Sequence, residues 1–130
     1  MKHGKAYVIG TKVRTSLSPT IFKYWFKKYN IEGKYEYKEI KEDKFDNEIK
    51  PILKEDDLCG LNITMPFKEK IISHIPKTNP IATKIGAVNW LSKNSAGSFC
   101  GENSDWIGFG ASIRKFCSNI NKDTAIIIGY

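Results

Sequence analysis

Arginine is nearly absent from this chain of 130 residues: Arg14 and Arg114 are the only two among 21 basic side chains, which face 14 acidic ones for a net charge of +7. Readout of bases and phosphates leans on the planar guanidinium fork. Many lysines also sit in mixed runs such as Lys38-Glu39-Ile40-Lys41-Glu42-Asp43-Lys44, the pattern of a solvated face. The basic surplus therefore does not point to nucleic acid. Cysteine is sparse and scattered: Cys59, Cys100 and Cys117 form no Cys-x-x-Cys pair, so neither a zinc site nor a dithiol is expected, and no metal is assigned. Long hydrophobic runs are missing too. The longest, Ala6–Ile9 and Ala125–Ile128, fall far short of the ~18 residues a membrane span requires. Met1–Lys5 leads into no signal-type apolar segment, so a cytoplasmic protein with no membrane partner is expected.

With 41% hydrophobic residues, the chain has the composition of one ordinary globular domain. Its periodicity alternates. A short apolar run over residues 5–9 ends at Gly10. Ile21, Phe22, Trp25, Phe26 and Tyr29 then recur at helical spacing behind Ser18-Pro19, which reads as a Ser N-cap with Pro at the first helical position. Residues 34–40 read as a strand, and Phe45, Ile49, Ile52 and Leu53 as one helix face. Leu58–Ile63 reads as a buried strand. A helix follows from Pro66 to Pro76, and a helical turn runs from Asn79 to Ile85 and stops at Gly86. Residues 87–92 and 98–101 read as strands around the turn-rich Asn94–Gly97, followed by a helix from about Asp105 to Cys117. This alternation predicts an α/β fold: an open, three-layer α/β/α arrangement in which a mostly parallel twisted sheet carries helices on both faces. Thr124–Ile128 is a further apolar strand leading into Gly129, as the first strand of a dinucleotide-binding unit would.

Four polar clusters fall at the carboxyl ends of predicted strands or at the starts of the helices that follow, where open α/β sheets bind ligands. Thr15-Ser16-Leu17-Ser18-Pro19 places hydroxyls at a helix start, fit for an anion or simply for capping. Asn62-Ile63-Thr64-Met65-Pro66-Phe67-Lys68 offers an amide, a hydroxyl and a lysine in a first helical turn, where a cation opposes the dipole. That lysine is either a tuned acid–base group or an exposed surface charge. Gly86-Ala87-Val88-Asn89 embeds an amide in apolar sequence, and such a group must find partners in backbone or ligand. Asn103-Ser104-Asp105-Trp106-Ile107-Gly108 opens the last helix, with Ser104 or Asp105 as a cap or a ligand contact.

In this order the clusters resemble the substrate-binding domain of the shikimate dehydrogenases, whose hallmarks are Ser-x-Ser-Pro, Asn-(Val/Ile)-Thr-x-Pro-x-Lys, Gly-Ala-Val-Asn and Asn-Thr-Asp-x-x-Gly. The resemblance spans Tyr7 to Gly129. It implies a reversible, NADP-dependent reduction of 3-dehydroshikimate to shikimate on the way to chorismate and the aromatic amino acids. Lys68 and Asp105 would be the catalytic pair. Ser16 and Ser18 would hold the substrate carboxylate. Thr64, Asn89 and Asp105 would meet ring hydroxyls, with Asn62 supporting the strand end. Gly129 would belong to the cofactor site. Residues 1–121 would form the substrate domain and 122–130 the first strand of a cofactor-binding Rossmann domain that is otherwise missing. The chain on its own would then be inactive, with most of the NADP site lying elsewhere. The expected partner is the small-molecule substrate, in a monomer or homodimer.

The chain departs from the family pattern at three positions. Thr15 stands where the family usually has His, Trp90 replaces the common Thr after Gly-Ala-Val-Asn, and Ser104 replaces the Thr of Asn-Thr-Asp. The first two bear on discrimination between shikimate and quinate. Two alternatives stay open: a quinate/shikimate dehydrogenase preferring NAD, and a non-catalytic domain that binds a small carboxylate.

Overall fold

The computed structural model describes residues 4–117 together with Thr124, Ile126 and Ile128. Five strands form one sheet in the order β2-β1-β3-β4-β5: β1 (Gly4–Gly10), β2 (Gly33–Glu39), β3 (Leu58–Ile63), β4 (Trp90–Lys93) and β5 (Phe99–Glu102). β1 pairs in parallel with both β2 and β3, whereas β3–β4 and β4–β5 are antiparallel. Four strands thus point the same way and β4 alone runs against them. The sheet, expected to be mostly parallel, is mixed on this side because only residues 94–98 separate β4 from β5, too few for the crossover a parallel pair needs.

Helices cover both faces. On one face, α2 (Phe45–Leu53), α3 (Phe67–Lys70) and α4 (Pro80–Ile85) join the inward side chains of the sheet in a single core. Phe45, Ile49 and Ile52 come from α2, Phe67 from α3 and Ala82 from α4, and Tyr7, Ile9, Leu61, Ile63 and Leu91 come from the strands. The side-chain period of two sends alternate residues of β1 the other way. Val8 and Tyr35 on that face pack with Val13, and Phe22 and Phe26 of α1 (Ser18–Tyr29) close over them.

Several expected boundaries shift for identifiable reasons. Leu17, not Ser18, occupies the N-cap of α1, and no side chain caps that helix from the N-cap position. The Ser16 hydroxyl instead accepts from the Ser18 N–H at 3.2 Å, doing the cap's work from two residues upstream. The predicted apolar face of α1 is only half used. Phe22 and Phe26 meet the sheet, while Ile21, Trp25 and Tyr29 stay exposed. The helix from Pro66 is a short α3 that tightens into a 3-10 turn over Ile71–His74. β4 begins at Trp90: Val88 N–H turns away from the sheet to Lys68 O, and Asn89 is the first residue to bridge Ile63 of β3 and Glu102 of β5. α5 (Asp105–Ile113) is shorter than predicted, giving way to turns before Cys117. Asn79, in contrast, caps α4 as a side-chain acceptor for Ala82 N–H at 2.7 Å, and Gly86 ends that helix at φ 77, a left-handed conformation suited to glycine. Of the predicted strand over 124–128, Thr124, Ile126 and Ile128 are described and carry no strand; the other two residues and Gly129 lie outside the described residues. Among the described residues, no helix is long and apolar enough to cross a membrane.

At the edge of the core opposite the β1–Ser16 loop, Glu55 collects three donors: the Tyr7 hydroxyl at 2.8 Å, Lys38 Nζ at 3.2 Å and Lys5 Nζ at 3.5 Å. Burial pushes the Glu55 carboxyl up, but the bonds from Tyr7 and Lys38 outweigh it and hold the group below its ordinary value. A carboxyl depressed in this way stabilises the fold above its unfolded pKa and loses that contribution as pH falls through the folded value. Glu55→Gln is therefore expected to cost about 1–3 kcal/mol at neutral pH. In urea titrations the gap between variant and parent should close as the pH drops below ~4. A gap that persists unchanged into acid would show that charge plays no part.

Candidate active site

The ends of β1, β3 and β5 and the start of β4 converge on one side of the sheet, and backbone hydrogen bonds lock the segments that extend beyond them. Thr64 N–H donates to Ile9 O at 2.9 Å, Ile63 N–H to Asn89 O at 2.8 Å, Asn89 N–H to Glu102 O at 3.0 Å and Val88 N–H to Lys68 O at 2.8 Å. The loop after β1 is fixed as firmly: Glu39 Oε1 accepts from Val13 N–H at 3.1 Å and Arg14 N–H at 2.9 Å, and Val13 is buried. Gly10 is needed where this loop leaves the strand, since a Cβ there would lie 2.6 Å from Thr64 Cγ2 and 2.8 Å from Val13 Cγ1.

These segments enclose a cleft of about 390 Å³. All seven residues singled out from the sequence as catalytic or substrate-binding line it: Ser16, Ser18, Asn62, Thr64, Lys68, Asn89 and Asp105. They come from four separate segments, so the fold alone brings them together.

Lys68 Nζ donates to Asp105 Oδ2 at 2.6 Å, across 37 positions of sequence. The lysine side chain is 29% exposed and the aspartate 54%, so the pair sits at the mouth of the cleft, within reach of an incoming molecule. The hydrogen bond from Lys68 holds the Asp105 carboxyl below its ordinary range; partial burial opposes this, and a second hydrogen bond from Asn89 assists. The predicted conflict between Lys68 and a helix dipole is minor, because α3 has only four residues. Asp105 is what holds the ammonium.

Asn89, expected to need partners, finds them in the last cluster. Its Nδ2 donates to Asp105 Oδ1 at 2.8 Å and to Ser104 Oγ at 3.0 Å, while its Oδ1 accepts from Ser104 N–H at 3.0 Å. Asn62 Oδ1 accepts from the Tyr35 hydroxyl at 2.7 Å, and Tyr35 stacks on Phe22 at 4.0 Å. Burial pushes the Tyr35 phenol up to about 12, partly offset by a hydrogen bond from Ser18, so it stays a neutral donor. The wall of the cleft is thereby held from behind.

The structure also identifies residues that sequence reasoning missed. Lys12, Val8, Val13, Phe22 and Ile63 complete the lining, and nothing in their local sequence marks them. Asn103, the one buried polar residue among those described, donates from Nδ2 to Ala87 O and accepts at Oδ1 from Asp105 N–H, both at 3.0 Å. It ties the start of α5 to the Gly86–Asn89 segment, and its place two residues before Asp105 was the available signal. Thr15 and Trp90 do not line the cleft; Trp90 lines a neighbouring apolar groove with Ala6, Phe22 and Gly60.

The lysine–carboxylate pair lies at the mouth of a polar cleft, on the carboxyl-end side of an α/β sheet, the place where such folds bind small ligands. Residues 8–91 match the family described as the shikimate dehydrogenase substrate binding domain, and the chain belongs to that family. It is 34% identical over 128 residues to shikimate dehydrogenase (NADP(+)) of Bartonella tribocorum, covering 98% of this chain and 43% of the relative. Shikimate dehydrogenase from Aquifex aeolicus superposes with a TM-score of 0.80 at 30% identity, over 91% of this chain and 44% of that one. The shikimate 5-dehydrogenase of Thermus thermophilus, solved in complex with shikimate, gives a TM-score of 0.75 at 28% identity, over 86% of this chain and 42% of that one. The chain spans less than half the length of these relatives.

Because Asn103 is buried with both ends of its amide bonded, Asn103→Ala is expected to lower stability by about 1–3 kcal/mol in denaturant titrations. A loss under ~0.5 kcal/mol, the range of ordinary surface changes, would refute the clamp.

Proposed function

We propose that this chain is the substrate-binding domain of an NADP-dependent shikimate dehydrogenase, which interconverts 3-dehydroshikimate and shikimate. The observation that carries the reading is the Lys68 Nζ–Asp105 Oδ2 contact of 2.6 Å at the mouth of the cleft lined by Ser16, Ser18, Asn62, Thr64 and Asn89. Family membership and the shikimate named in the Thermus structure support the choice of substrate.

Shikimate presents a carboxylate at one end of a ring and hydroxyls at the other. The hydroxyls of Ser16 and Ser18 are neutral donors suited to the carboxylate, while Thr64, Asn89 and Asp105 are suited to the ring hydroxyls. The oxygen on the carbon that is reduced or oxidised then falls to Lys68. Asp105, held as a carboxylate, has no proton to give, so the proton delivered to that oxygen comes from the Lys68 ammonium. In the opposite direction the same nitrogen, once deprotonated, takes the proton from the hydroxyl. Asp105 orients Lys68 and compensates its charge.

The glycine that closes β1 has its open side filled by Thr64 and Val13, leaving no room for a phosphate against the backbone. In this proposal the cofactor is held beyond residue 121, residues 122–130 lead into the part that holds it, Gly129 belongs to that site, and the 130-residue chain alone binds shikimate without turning it over.

In the NADP-dependent enzyme that contains this domain, Lys68→Ala is expected to lower turnover by a factor on the order of 10² or more. Calorimetry on the chain itself should show shikimate affinity falling much less than turnover does. Unchanged turnover in the variant would overturn the assignment of Lys68.

A further inference from the structure

We propose that Lys12 supplies the counter-charge for the substrate carboxylate and sets the preference of the cleft for a monoanionic ligand; this rests on the proposed function and deepens it.

The ionisable side chains that line the cleft are Lys12, Lys68 and Asp105. Lys68 and Asp105 neutralise one another at 2.6 Å. Lys12 has no acidic partner among the described residues, so the lining carries one uncompensated positive charge. A ligand with a single negative charge balances it. A neutral ligand leaves the cation unpaired, and a dianion brings one charge too many.

The hydroxyls assigned to the carboxylate can donate hydrogen bonds to it but supply no counter-charge. Ser16 Oγ accepts from the Ser18 N–H and keeps its own O–H to donate, and both hydroxyls are uncharged. A hydrogen bond to a charged donor is roughly twice as strong as one between neutral groups. Other cations near this loop are excluded by position. Arg14 is 74% exposed, lies 3.9 Å from Glu39 and does not line the cleft.

The backbone around Lys12 is held in place. Two residues before it, Gly10 is wedged against Thr64 and Val13; directly after it, Val13 is buried with its N–H bonded to Glu39. Ile40 N–H also donates to Gly10 O at 3.0 Å. The lysine stem therefore starts from a fixed point on the rim, and its exposed ammonium can reach a carboxylate without reorganising the loop.

The test compares shikimate with its methyl ester, which has the same ring and no charge, by calorimetry on the chain and on Lys12→Met and Lys12→Arg. Lys12→Met should weaken shikimate on the order of tenfold while leaving the ester unchanged, and should flatten the decline of shikimate affinity with added salt. Lys12→Arg should retain most of the shikimate affinity. Parent-like shikimate binding by Lys12→Met would overturn the inference, as would equal weakening of shikimate and ester, which would mark a structural role in the loop. If the folded parent chain binds neither ligand, the proposed function fails and this inference with it, an outcome distinct from parent binding that Lys12→Met leaves untouched.

Discussion

Phe67 stacks on Phe45 with ring centroids 4.2 Å apart, and neither ring is exposed. The functional side of the molecule depends on this contact. It joins α3 to α2 across the core, and Lys68 is the next residue in the chain. A fully buried aromatic immediately before Lys68 removes the freedom of the first turn of α3 to rock, since any rotation would drag the ring out of the core at a cost of several kcal/mol. The carbonyl of Lys68 is then bonded by Val88 N–H, which brings the Gly86–Asn89 segment, and with it Asn89, to the same place. The site is thus assembled from the core outward.

The two faces of the sheet divide the labour. On the α2–α4 face, nearly every inward position of β1, β3, β4 and β5 is filled by a buried apolar side chain. The α1 face has a thinner apolar cover and carries the polar elements of the cleft wall, with Tyr35 reaching from β2 to Asn62 on β3 across β1. In β1 the alternation is direct: Tyr7 and Ile9 serve the core, while Val8 lines the cleft.

The parts of this design that depend on residues close in sequence were legible. Leu58–Ile63 could be bounded as a strand because apolar residues run between a charged segment and Pro66, and Asn79-Pro80 with Gly86 marked both ends of α4. The seven residues that line the cleft together were picked out through four short motifs, each at a strand end or the helix start after it. What escaped depends on contacts between distant positions. Glu39 looks like any surface acid in a mixed-charge run, yet it holds the loop after β1. Lys12 is one lysine among many until the loop is folded. The apolar spacing of α1 suggested a wide buried face, but the sheet offers it only the ground above Val8 and Tyr35, so Trp25 and Tyr29 remain outside.

The helix that carries Asp105 buries none of its side chains; Trp106, Ile107 and Phe109 are all exposed. Among the described residues, its hydrogen-bonded hold on the rest of the molecule lies at its first residues, through Asn103, Ser104 and Asn89. Mechanically this is a cantilever: a rod clamped at one end, with the working group at the clamp. A force on the far end is felt as torque at Asp105, whereas the same force on α2 or α3 is spread through the core. The distance between Lys68 and Asp105 is therefore the dimension of the cleft most responsive to whatever seats against the exposed side of α5.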